Sequence, residues 1–147
     1  MPTAVYPFTR FQYADGSIDK RGYARVPVRI TNGENGLSAE TWALIDTGAD
    51  ATLFPSKLAS DLGHKLKGLG VRTSVTGGIE QTPITAYAHT FRVELLSADR
   101  TRVLWSLRDR EIDCVETDPP ILLGVEDFLC HFRLTIDYPR EEIRMKW

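Results

Sequence analysis

A short strand followed by residues that turn the chain recurs along this sequence and limits the folds open to it. From Tyr23 to Ile30, the residues Tyr23, Arg25, Pro27 and Arg29 stand against Ala24, Val26, Val28 and Ile30. A period of two places one set on a buried face and the other toward solvent. Asn32-Gly33-Glu34-Asn35-Gly36 then reverses the chain into Thr41–Ile45. Two later hairpins follow the same rule: Thr85–Leu96 returns through Ser97-Ala98-Asp99 into Arg102–Leu107, and Leu134–Tyr138 returns through Pro139–Glu142 into Ile143–Trp147. Helical signals are few. Ser56 is placed to cap a short helix carrying Leu58 and Leu62 and ended by Gly63. A second helix is expected over about Val125 to His131, where Val125, Phe128, Leu129 and Phe132 recur at spacings of three and four. The expected class is all-β with two short helices.

The 147 residues suit one domain with its own core, since a chain of this size buries roughly 68–70% of its unfolded surface. No repeat, low-complexity tract or linker divides it. Eighteen Lys and Arg against 20 Asp and Glu give a formal charge of −2, leaving no basic excess to neutralise a row of phosphates, so nucleic acid is not an expected partner. No run of about 18 apolar residues occurs and the N-terminal residues lack a basic stretch followed by an apolar one, so neither a membrane span nor a secretion signal is expected. Cys114 and Cys130 are too few for a disulfide framework and read as free thiols in a reducing cytoplasm. His64, His89 and His131 match no zinc spacing and read as packing or surface residues, so no metal and no cofactor is expected. Trp42, Trp105 and Trp147 likewise read as packing aromatics.

The segment that carries chemistry is Ala43-Leu44-Ile45-Asp46-Thr47-Gly48-Ala49-Asp50-Ala51-Thr52-Leu53-Phe54-Pro55. An apolar strand ends in a carboxylate followed by a small polar and a small flexible residue. With this composition an Asp-Thr-Gly arises by chance roughly 0.08 times, and the pattern with its apolar and Ala flanks roughly 0.001 times. At the end of a buried strand the Asp46 carboxylate is held in a partly desolvated place. Gly48 permits close approach of backbone, and the Thr47 hydroxyl can hydrogen-bond across to a neighbouring loop.

These residues resemble the active-site loop of retropepsin-like aspartic proteases, single-lobe relatives of pepsin. Two further segments follow in the family's order. Val75-Thr76-Gly77-Gly78-Ile79-Glu80-Gln81-Thr82-Pro83 is similar to the glycine-tipped flap hairpin, and Ile121-Leu122-Leu123-Gly124 to the apolar-apolar-Gly element supporting the active-site loop. The likeness covers about Tyr23 to Trp147. It implies a pepsin-like single-lobe closed β-barrel over 23–147, with residues 1–22 as an N-terminal extension packed on it. It also implies an aspartic endopeptidase in which Asp46, Thr47 and Gly48 are catalytic, Ala49, Asp50, Gly77, Gly78 and Ile79 bind substrate, and Leu122, Leu123 and Gly124 support the site. Because Asp-Thr-Gly occurs once, the second carboxylate of the dyad is expected from a homodimer partner, acting on an extended peptide or protein substrate. Another reading of the same resemblance is a catalytically silent module that binds peptides or proteins.

One departure stands out. Retroviral relatives commonly place an Arg directly after the apolar-apolar-Gly element, pairing with the carboxylate equivalent to Asp50, whereas this chain has Val125-Glu126-Asp127. Arg10, Arg25 and Arg140 are the candidate replacements. The mixed-charge run Arg108–Asp113 reads as a solvated strand edge, and the C-terminal Arg144–Trp147 as a candidate for dimer contacts.

Overall fold

Alternating burial decides which segments become strands. The chain runs β1 (Thr3–Pro7), β2 (Arg25–Asn32), β3 (Ser38–Ile45), β4 (Leu53–Pro55), helix α1 (Ser56–Asp61), β5 (Thr73–Gly77), β6 (Pro83–Leu96), β7 (Val103–Val115), β8 (Leu122–Leu123), β9 (Arg133–Asp137) and β10 (Glu142–Lys146). The structure is a computed structural model that describes residues 1–77, 82–117 and 119–147. Val26, Val28 and Ile30 of β2 are fully buried, as their alternation requires. Pro27 is tolerated because β2 pairs with β6 only from Val28 onward, so the missing N–H faces no strand there.

Strand pairing runs β2-β3-β8-β4-β7-β6 and closes where β6 pairs back onto β2, making a six-stranded barrel with β5 added at β6. Closure leaves no unpaired strand in the ring itself. Phe54, Phe91, Val93, Leu95, Ile112 and Leu123 fill its interior. A separate antiparallel sheet has the order β1-β10-β9, and its Tyr6 hydroxyl reaches the barrel by donating to the Leu96 carbonyl at 2.7 Å. Both edges of β10 are therefore used within the chain. Arg144–Lys146 thus has no open strand edge within this chain.

Several local expectations change. β7 extends to Val115, well past Leu107, because Ile112, Cys114 and Val115 continue the buried face. The run Arg108–Asp113 is thus inside a long strand that pairs with β6 on one side and meets β4 only from Asp113 onward. Among the described residues Arg108–Ile112 therefore keeps the open edge expected of it, and its outward charges pair with neighbours: Arg92–Asp109 at 3.2 Å and Arg72–Glu111 at 2.9 Å. Pro55, not Ser56, precedes α1, and no side chain caps it. Gly63 follows with φ +88°, the left-handed conformation expected after a helix. The helix expected over Val125–His131 shrinks to a 3-10 turn at Leu129–His131, with Phe128 and Leu129 buried and Val125 turned outward. Leu129 and Cys130 donate to Gly124 and Val125, five residues back, a wider winding than an α-helix. Among the described residues no helix is long and apolar enough to cross a membrane.

His64 and His89 are both buried packing residues. Their rings lie 4.6 Å apart, with His64 Nε2 3.0 Å from the Thr90 carbonyl and His89 Nε2 3.0 Å from the Leu66 carbonyl. This reciprocal clasp fastens the segment after α1 to β6. Burial holds the His89 pKa below its ordinary 6.5; the bond to the Leu66 carbonyl opposes it, the facing His64 lowers it further by less, and Glu34 and Glu111 raise it least. A base depressed in the folded state contributes stability that is complete above its unfolded pKa and is lost as pH falls through about 6.5 toward the folded value. Urea midpoints are therefore expected to fall between pH 7.5 and 5 more steeply in the wild type than in His89→Gln, which keeps a donor for Leu66. Equal slopes in the two proteins would show that the clasp does not titrate.

Candidate active site

The apolar strand β3 delivers Asp46, and β4 receives the chain again at Leu53. Between them β8 acts as a staple. Leu44 and Ile45 pair with Leu122 and Leu123 in parallel, while Leu53 pairs with Leu122 from the other side. Both ends of the loop 46–52 therefore rest on the same two residues, which gives the predicted support element Leu122-Leu123-Gly124 a concrete place. Leu123 is buried, and its carbonyl accepts from the Asp46 N–H at 3.2 Å. Gly124 lies against the backbone of Ala51 and Thr52. A Cβ there would stand 2.6 Å from the Thr52 nitrogen, closer than a carbon can approach, so only glycine fits.

Within the loop, Asp46 Oδ1 accepts the Gly48 N–H at 3.0 Å, and the Ala49 N–H donates to the Asp46 carbonyl at 3.2 Å. The turn fixes one carboxylate oxygen and leaves Oδ2 without a partner among the described residues. Thr47 and Gly48 are exposed, and Thr47 forms no hydrogen bond among the described residues. Gly48 does not adopt a left-handed angle, and a Cβ on it would meet only Asp46 Oδ1 at 3.4 Å. Among the described residues nothing demands glycine at 48.

Asp46 opens into a cleft of about 490 Å³. Its walls include Ala49 and Asp50 from the loop, Thr76 and Gly77 from β5, Asp113 from β7 and Leu122 from β8. The structure thus brings Asp46, Gly48, Ala49, Asp50, Gly77 and Leu122 together at one opening. Thr47 is not among its lining residues, and the other two flap candidates, Gly78 and Ile79, lie outside the described residues. Asp50 is exposed. The arginines considered as its partner are engaged elsewhere: Arg10 with Glu141 at 2.8 Å, Arg25 with Asp19 at 3.1 Å, Arg140 with Asp137 at 3.8 Å. None of the three pairs with Asp50.

Two residues at this site escaped sequence reasoning. Asp113 reaches the cleft because β7 runs alongside β4, with Asp113 opposite Leu53. The signal was present in the apolar Ile112–Val115, which continues the strand beyond its charged stretch. Asp127 stands out in the sequence only as the end of the Val125-Glu126-Asp127 run that follows Gly124. It is buried, and its carboxylate accepts from the Thr52 N–H at 3.0 and 3.1 Å and from the Thr52 hydroxyl at 2.6 Å. Among the described residues no group of three His, Cys, Asp or Glu side chains is arranged to hold a metal ion.

A family model described as aspartyl protease matches residues 26–126. The chain belongs to the aspartyl protease family and, by its barrel and its Asp-Thr-Gly loop, to the retropepsin-like kind. Its fold is similar to the crystal structure of a retropepsin-like aspartic protease from Rickettsia conorii. The TM-score is 0.54 at 16% identity, with 98% of this chain and 90% of that chain covered. A comparison with curated proteins gives no match.

Proposed function

We propose that this protein is an aspartic endopeptidase whose two catalytic carboxylates are the Asp46 side chains of a homodimer. The observation that carries this reading is the Asp46 loop, stapled at both ends by β8 and opening its carboxylate into a cleft of about 490 Å³. Two carboxylates about 3 Å apart cannot both ionise and so share a proton. The charged one takes a proton from a bound water, which attacks the scissile carbonyl, while the other donates its proton to the carbonyl oxygen. One chain supplies half of this dyad. The unbonded Thr47 hydroxyl and the open side of Gly48 are the groups left for contact with a second copy. Gly77, with Gly78 and Ile79, would close over the substrate from β5. Free Cys114 and Cys130 suit a reducing cytoplasm.

The test is incubation with a diverse peptide pool between pH 4 and 7, followed by dilution of the enzyme. Cleavage is expected at acid to neutral pH, and specific activity is expected to fall with dilution in step with the loss of dimer seen by sedimentation. Full specific activity in a solution shown to hold only monomers would sink the shared-dyad mechanism.

The cleft also predicts a charge preference. Glu40, Glu94, Asp109 and Glu111 are matched by arginines, whereas Asp50 and Asp113 have no ion-pair partner among the described residues. Neither Lys, Arg nor His lines the cleft. Peptides with Lys or Arg beside the scissile bond are expected to be cleaved several-fold faster than their Glu or Asp counterparts. The margin should narrow in high salt and in Asp113→Asn. Equal rates for both peptide sets at low salt would refute it.

A further inference from the structure

We infer that Asp127 is a positioning residue that holds the Asp46 loop in its working geometry through Thr52. The loop 46–52 has no regular secondary structure and is largely exposed, so its shape depends on the bonds made at its back. Three of these are between backbone groups: Asp46 N–H to Leu123 O, Val125 N–H to Ala49 O at 2.9 Å, and Glu126 N–H to Asp50 O at 2.7 Å. The side-chain link is Asp127, which is 5% exposed and has no cation beside it. A buried carboxylate without a counter-ion is retained only where hydrogen bonds replace its lost hydration, and Thr52 provides them from its N–H and its hydroxyl.

The direction of these bonds is fixed. The Thr52 hydroxyl has one proton, given to Asp127 at 2.6 Å, so its lone pair receives the Gly124 N–H at 3.1 Å. The chain of contacts therefore runs from Asp127 to Thr52 to Gly124, next to the Leu123 carbonyl that holds the Asp46 nitrogen. Both Asp127 oxygens face donors, and an amide at this position would aim an N–H at one of them. In this chain a buried acid two residues beyond the position of the retroviral arginine secures the loop. Val125 and Glu126 tie the start of the turn to the loop, and the wide winding of residues 125–130 carries Asp127 inward.

The catalytic consequence rests on the peptidase reading, while the structural one does not, and two measurements separate them. The first compares kcat and KM of wild type, Asp127→Asn, Thr52→Val and Thr52→Ser, well below their unfolding temperatures and with dimer content checked. Asp127→Asn and Thr52→Val are expected to lose about tenfold to a hundredfold in kcat with little change in KM, since small misplacements of a reacting group have effects of this size. Thr52→Ser, which keeps the hydroxyl, should recover most of the Thr52→Val loss. The second is amide hydrogen exchange, in which Gly48 and Ala49 should exchange faster in Asp127→Asn while β2 and β6 stay protected. Unchanged kcat per folded dimer in both Asp127→Asn and Thr52→Val, or unchanged exchange over 46–52, overturns the inference. If wild type cleaves no peptide, the exchange result still decides the role of Asp127, and the failure falls on the peptidase reading alone. If Asp127→Asn does not fold, the Thr52 pair carries both measurements.

Discussion

Asp46→Asn is expected to remove peptide cleavage, by about 10²–10⁴-fold or more, while leaving the chain folded. The fold should survive because the bond inside the loop, Gly48 N–H to Asp46 Oδ1 at 3.0 Å, needs only an acceptor, and the carbonyl oxygen of an asparagine supplies one. The chemistry should not survive, because an amide neither takes a proton from water at these pH values nor shares one with a neighbouring carboxylate. The substitution acts on both members of a symmetric dyad at once. Mixing sharpens the test. When wild type and Asp46→Asn are combined in equal amounts and allowed to exchange subunits, about a quarter of the dimers keep two carboxylates. Activity per wild-type chain should therefore drop to about half, whereas a site complete within one chain would show no drop. Cleavage by the pure mutant at the wild-type rate would sink the mechanism.

The parts of this molecule that its sequence made legible are those governed by near neighbours in the chain. Alternation at Val26, Val28 and Ile30 needs only a period of two, and Asp46-Thr47-Gly48 with its apolar approach is a contiguous signal. Gly63 after α1 is likewise local. Pairings between distant segments were not legible. Leu122 and Leu123 stand out as support of the Asp46 loop only through the family resemblance, because the pairing itself depends on β8 lying between β3 and β4. The arrival of Asp113 in the cleft depends on β7 running beside β4, and neither register is written in a local pattern. The helical spacing of Val125, Phe128, Leu129 and Phe132 misled for a related reason. Val125 and Glu126 anchor the start of this segment to Ala49 and Asp50, and Leu129 and Cys130 bond five residues back instead of four, so the tertiary arrangement overrides the local pattern. The same arrangement explains Asp127. Read along the chain it is an acid beside another acid, and only the packed loop shows that Thr52 supplies what a cation would.

Gly124→Ala should be the most damaging single-methyl change at the site. The added carbon would stand 2.5 Å from the Ala51 carbonyl oxygen and 2.6 Å from the Thr52 nitrogen, both backbone atoms with no rotamer by which to yield. Overpacking of this kind costs about 1–3 kcal/mol where side chains absorb it. Here the loop must move instead, weakening the bonds from Gly124 to Thr52 and from Val125 to Ala49, each worth about 1 kcal/mol. A loss of about 3 kcal/mol is expected, which for a chain of this size corresponds to a fall of roughly 6–12 °C in Tm. Gly48→Ala is the internal comparison. Its Cβ would meet Asp46 Oδ1 at 3.4 Å, an ordinary contact, so urea unfolding of the monomer should change by less than about 1 kcal/mol. The two glycines meet the same loop at different places, Gly124 packed against its Ala51–Thr52 backbone and Gly48 within it beside the Asp46 carboxylate. A stability loss at 124 with near-neutral stability at 48 would mean that the rear of the loop is packed to capacity by its own chain while its face is left open for whatever binds there. Comparable losses at both positions would contradict that division.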